Sequence, residues 1–124
     1  MSGDIINVLM TLRNQVKVYH WQTMSYARHK TTDDLVSSLD GNIDKFVEVY
    51  MGKYGQPKFT ARNNKFVVYD ADDKNAPKLL KNGIAWLTRV LPKSLNARED
   101  TDLLNIRDEI LADLNQARFL FGLR

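Results

Sequence analysis

The sequence predicts an all-α protein, an antiparallel four-helix bundle with a short hairpin or loop insert between helices two and three. Three observations predict it. Four segments repeat apolar residues at intervals of three and four, the mark of an amphipathic helix. Two of these segments lie on each side of a polar insert, the arrangement of a single helical bundle. The composition, 44% hydrophobic and 27% charged over 124 residues, is that of one compact domain rather than a disordered chain. A chain this long buries roughly two-thirds of the surface its unfolded form exposes, enough for one core. It contains no cysteine, which excludes a disulfide framework, a thiolate nucleophile, a CxxC redox pair, iron–sulfur clusters and Cys-based zinc sites.

The first helix is expected over about 4–27, where Ile5, Leu9, Leu12, Val16, Tyr19 and Thr23 or Met24 share one stripe. Ile6, Met10, Val18 and Trp21 lie off that stripe, so the helix is expected to be covered on more than one side. The second helix is expected over about 32–53: Thr31 or Thr32 supplies N-cap chemistry, Asp33 and Asp34 first-turn negative charge, and Leu35, Leu39, Ile43, Phe46 and Tyr50 the apolar repeat. Gly52, Gly55 and Pro57 end it. In the insert, about 57–74, the period changes, and Asn63-Asn64 tolerates the positive φ of a tight turn between Phe59 and Phe66 to Tyr69. Pro77 suits a helix's first turn, and Leu79, Leu80, Gly83, Ile84, Leu87, Val90 and Leu91 make a third helix over about 76–91, stopped by Pro92. Glu99, Asp100 and Asp102 open the fourth, about 99–121, with Leu103, Leu104, Ile106, Ile110, Leu111, Leu114, Phe119 and Leu120 as its apolar positions.

Charge is unevenly placed. The net charge is +3, but segment 53–98 has ten basic residues against three acidic ones, and the remainder is net −4. On a helical wheel Asp33, Asp40, Asp44 and Glu48 fall within roughly 80° of one another. This acidic stripe borders the packed face of helix two instead of opposing it. A solvated face neutralised by Lys17, Lys45 or a neighbouring Arg is one reading. The other is a cation site, because two histidines lie near the carboxylate row: His20 on the first helix, directed at its packed side, and His29 four residues before Asp33. Without cysteine, that imidazole–carboxylate set suits iron, manganese or zinc. A core histidine bonded to a main-chain carbonyl is the plainer reading of His20, and a surface link residue that of His29. The N-terminus lacks the features of a secretory signal and no run approaches a membrane span. The expected location is cytoplasmic, or virion and host cytoplasm for a viral chain, with no membrane partner.

These residues carry a resemblance. Gln15-Val16-Lys17-Val18-Tyr19-His20-Trp21 resembles the Lys-x-x-His-Trp segment of Dps-type mini-ferritins, in the ferritin-like superfamily. His29, Asp33, Asp44 and Glu48 reproduce that family's intervals of 4, 11 and 4. Gly52 to Thr60, and Asp102-Leu103-Leu104 through Gln116-Ala117-Arg118-Phe119-Leu120, resemble later segments. The Tyr-His-Trp-Gln-Thr and Asp-Lys-Phe-Val-Glu-Val-Tyr strings are also similar to small ferritin-like proteins of large DNA viruses. The resemblance implies a ferritin-like fold, a homodimer or larger homo-oligomer, and Fe(II) bound and oxidised at a site shared across a two-fold axis. His20, His29 and Asp33 would come from one subunit, Asp44 and Glu48 from the other, and Trp21 would line the interface. The third and fourth helices carry no Glu-x-x-His, which excludes an ordinary ferritin's intrasubunit di-iron site.

Two other readings compete with this ferroxidase. One is a ferritin-like structural or interaction module, such as a virion component, whose acidic row is a salt-bridge seam. The other is DNA association through the basic middle, with Lys58, Arg62 and Lys65 interleaved among Phe59, Phe66 and Tyr69 as in stacking platforms.

Overall fold

The computed structural model describes residues 3–123. Four α-helices are present: α1 (Asp4–Gln22), α2 (Tyr26–Tyr54), α3 (Ala76–Ala85) and α4 (Thr101–Phe121). No strand occurs among the described residues. The long α2 packs on both α1 and α4, and α3 closes the core against α4 and α1. Leu9, Leu39, Phe46, Leu80, Leu87, Leu103, Ile110 and Leu114 are fully buried at its centre, each stabilising by about 1.5–3 kcal/mol relative to exposure. Gly83 lets α3 approach closely: a Cβ there would lie 3.1 Å from both Leu114 Cδ1 and Leu12 Cδ1.

Several expected boundaries move. Helix one ends at Gln22, not 27, and α2 begins at Tyr26, not 32. The N-cap is Ser25, whose Oγ accepts from the Arg28 N–H; Thr31 and Thr32 lie inside the helix, where each hydroxyl donates to a carbonyl one turn back. The positively twisted residue that ends α2 is Gly55, with φ 82°. Helix three is α-helical only to Ala85. Pro92 has no N–H to continue the ladder, and the chain widens to a π-turn over Trp86–Val90 and then tightens to a 3₁₀ turn over Leu91–Ser94. Arg107 Nη1 donates to the Leu87 carbonyl there at 2.9 Å. Helix four starts at Thr101 rather than 99.

The insert is a loop, and the expected positive φ at Asn63-Asn64 is not found: among the described residues only Gly55 has one. Asn63 instead closes its turn by its side chain, Oδ1 accepting from the Thr60 N–H at 2.8 Å. The chain then runs along α1 as a strap tied by three amide side chains. Asn7 donates to the carbonyls of Asn63 and Lys65, Gln15 bonds both the N–H and the C=O of Tyr69, and Gln22 accepts from the Ala71 N–H. From Asn7 to Gln15 the helix rises about 12 Å. The four residue steps from Lys65 to Tyr69 span roughly 13 Å only when extended, so the strap is drawn out and runs in the direction of α1.

Candidate functional site

The short turn Thr23 to Ser25 brings the end of α1 against the start of α2, and with it His20 against His29. The two rings stack with centroids 3.9 Å apart and planes 17° from parallel. His20 is 6% exposed; His29 is half-buried and sits in the first turn of α2 rather than in a link. Each Nδ1 lies 2.8 Å from the other residue's main-chain carbonyl oxygen. A carbonyl only accepts, so each Nδ1 carries a proton, which in the neutral tautomer leaves the lone pair on Nε2. The main-chain carbonyl bond anticipated for His20 as a core histidine therefore exists. Thr32 Oγ1, buried, lies 3.0 Å from His20 Nδ1.

A second layer fixes the turn. Asp73, from the loop before α3, accepts from the hydroxyls of Tyr19 and Thr23 and from the Met24 N–H. The Thr23 and Tyr19 bonds hold its carboxyl below the usual carboxylate value, while burial pushes the Tyr19 phenol up. Arg28 donates to Tyr19 Oη, to the Asp73 carbonyl and to the Phe121 carbonyl, and its guanidinium lies 4.8 Å from the Phe121 ring centroid. Asp73 and Arg28 had no sequence signal; apart from the Arg28 bond to Tyr19, nine positions back, their partners are 45 or more positions away.

The carboxylates divide into two groups. Asp33 is one turn beyond His29, and both face the open side of α2. Asp44 and Glu48 lie farther along, about 16 and 22 Å from Asp33 at 1.5 Å per residue. Within one chain the five residues do not converge: no group of three or more His, Asp or Glu able to hold a metal occurs among the described residues. Asp33, Asp44 and Glu48 are exposed and have no hydrogen-bond or ion-pair partner among them. Asp40 differs. Arg13 pairs with both its oxygens, at 2.7 and 3.3 Å, and that bond raises the guanidinium's own pKa; at this position the stripe is a salt-bridge seam.

The open carboxylates and His29 are arranged symmetrically along α2. The midpoint between His29 and Glu48 and that between Asp33 and Asp44 are the same point, between Ser38 and Leu39. Gly41 lies close to it on the exposed face, where a Cβ would touch nothing within 4 Å. Beside the histidines Trp21, Met24 and Tyr26 are all exposed, with Lys17 Nζ 5.3 Å from the Trp21 ring centroid. In the basic middle, Arg62 is paired with Asp4 at 2.9 Å, whereas the Lys58 and Lys65 side chains have no partner among the described residues. No described helix is long and apolar enough to cross a membrane.

Residues 20–121 match the model of a family of unknown function (DUF5856). The chain is 28% identical, over 98% of its length and 88% of the relative's, to an uncharacterized 14.6 kDa protein of Enterobacteria phage T4 from the mobD-ri intergenic region. It is 29% identical, over 90% of its length, to an uncharacterized protein of Methanocaldococcus jannaschii, of which it spans only 22%. No solved structure matches.

Proposed function

The chain belongs to that family of unknown function, and for it we propose a mini-ferritin-like role: a ferritin-like antiparallel bundle that pairs through α2 and binds and oxidises Fe(II) at the pair's interface. The observation that carries the reading is the mirror spacing on α2. Two copies crossing antiparallel between Ser38 and Leu39 bring His29 beside the partner copy's Glu48 equivalent and Asp33 beside its Asp44 equivalent. His20, stacked on His29, joins the set. Each of the two equivalent sites then has two imidazole Nε2 atoms and three carboxylates. This is a ligand set for iron, manganese or zinc, with the hard anionic oxygens favouring ferric product over ferrous substrate. Like charges at Asp44 and Glu48, one turn apart, destabilise an empty helix and are relieved by a cation. Gly41 offers the close approach that crossing helices need, and Trp21 and Tyr26 flank the histidines as apolar rim.

The test is Fe(II) binding and oxidation by purified protein against Asp44→Ala/Glu48→Ala. Wild type is expected to hold at least one iron per dimer and to consume peroxide with Fe(II); the double variant is expected to lose both. Equal iron content and equal rates in the two proteins would sink the reading. The phage relative favours a second one, a structural component of a virion in which the bundle assembles without turning over iron; there the double variant changes assembly and leaves metal content untouched. A role on DNA has less support, because Arg62, one of its three cations, is already paired with Asp4.

A further inference from the structure

We propose that the cleft between the last turns of α2 and the segment leading into α4 binds a phosphate monoester, a small anion carried on a flat body. The cavity holds about 410 Å³, in the range of small-molecule sites. None of the histidines and carboxylates of the iron reading lines it, so the two readings stand apart. Tyr50 is the first ground. It is 7% exposed, and its hydroxyl has no hydrogen-bond partner among the described residues. Every fully buried side-chain polar atom there has one, so the hydroxyl is accessible, and the space that the residue lines is this cavity. A nearly buried phenol without a partner is an exception that a ligand explains. Burial and the neighbouring Asp100 raise its pKa, so it stays protonated and able to donate.

Charge is the second ground. From Lys74 to Arg98 the chain carries six cations and no acid, and none of the six is ion-paired among the described residues. One of them, Lys93, lines the cavity beside Ser94, and neither side chain has a hydrogen-bond partner there. The one carboxylate in the wall, Asp100, is 1% exposed and already engaged. Its Oδ1 accepts from the Tyr54 hydroxyl at 2.5 Å and lies 3.4 Å from Lys53 Nζ, and its Oδ2 accepts from the Asn96 N–H at 2.7 Å. What is left uncommitted is a set of donors, the Tyr50 and Ser94 hydroxyls and the Lys93 ammonium, which selects an anion over a cation. Donors on three residues suit the three terminal oxygens of a phosphate better than the two of a carboxylate. The exposed Tyr54 ring, its centroid 5.4 Å from that of Tyr50, and half-buried Leu95 offer an apolar wall for the ester's body.

Calorimetric titration of the full chain with phenyl phosphate tests this, in metal-free buffer so that the result is independent of iron binding. One saturable site per chain is expected. Tyr50→Phe removes only a hydroxyl that bonds nothing within the chain, and Lys93→Ala an unpaired ammonium. Each should keep native circular dichroism and weaken binding about tenfold, the loss of one hydrogen bond to a charged ligand. Lys78→Ala, on the exposed face of α3 and outside the cavity, should leave binding unchanged. Inorganic phosphate, which lacks the body, and benzoate, which lacks the phosphate, should each bind about tenfold more weakly than phenyl phosphate. The proposal is overturned by the absence of saturable binding, or by Tyr50→Phe and Lys93→Ala chains that bind as wild type does. Equal weakening by Lys78→Ala also overturns it, by reducing the effect to diffuse attraction toward the basic segment. Benzoate bound as tightly as phenyl phosphate overturns the choice of phosphate, and inorganic phosphate bound as tightly overturns the apolar wall.

Discussion

Asp73 decides where the histidines sit, although it touches neither. Its carboxylate gathers the Tyr19 hydroxyl, the Thr23 hydroxyl and the Met24 amide, and so sets the turn whose two sides present His20 and His29 to each other. The Thr23 and Tyr19 bonds lower its pKa from 3.8. A carboxyl lowered on folding contributes stability that is fully present above its unfolded value and is lost as pH falls through the folded one. Asp73→Asn is therefore expected to flatten the loss of stability below about pH 4 and to lower stability at neutral pH, read by urea unfolding across pH 2–7. At this scale the residue types were legible. Histidines and carboxylates at intervals of 4, 11 and 4 announce themselves in a chain without cysteine. Their supports did not, because Asp73 and Arg28 act through contacts set by the tertiary fold, and one Asp among many polar loop residues looks like any other.

Among the elements, α2 carries the most information and the clearest anomaly. A glycine inside a helix costs about 0.5–1 kcal/mol relative to alanine, and Gly41 returns nothing within its own chain, since a Cβ there would meet only solvent. Gly41→Ala should raise the stability of the isolated chain by about 0.5–1 kcal/mol, measured by thermal or urea unfolding at low protein concentration. A loss of stability there would mean that Gly41 is constrained by something in its own chain. The four helices were readable from apolar spacing, and the boundaries failed where two local signals competed. Thr31 and Thr32 offer cap chemistry as good as that of Ser25, and only the fold chooses Ser25, by placing Thr32 in the core against His20. The break at Pro92 was visible, but the π-turn before it was not, because it depends on Arg107 reaching across from α4 to the Leu87 carbonyl. The insert was legible as a change of period that fits either a hairpin or an ordered loop, and the structure has the loop. Its strand-forming residues have no strand to pair with, and its main chain is held instead by amide side chains on α1.

At the scale of the whole molecule, the proposed pairing through α2 would close on a two-fold axis, with the same surface contributed by both copies. Fe(II) bound at the α2 pair should therefore raise the melting temperature of the assembled protein by mass action and leave that of Asp44→Ala/Glu48→Ala unchanged, a contrast readable by calorimetry. The way the strap is tied has a further consequence, in the rates at which its amide protons trade with water. Main-chain protons on α2 and α4 are released mainly by global opening, the slowest exchange in the molecule. Along the strap, Tyr69 and Ala71, whose amides are bonded to Gln15 and Gln22, should exchange slowly, and Phe66, Val67 and Val68 at nearly the rate of a free peptide. That step from fast to slow amides marks where the side chains of α1 take hold of the chain.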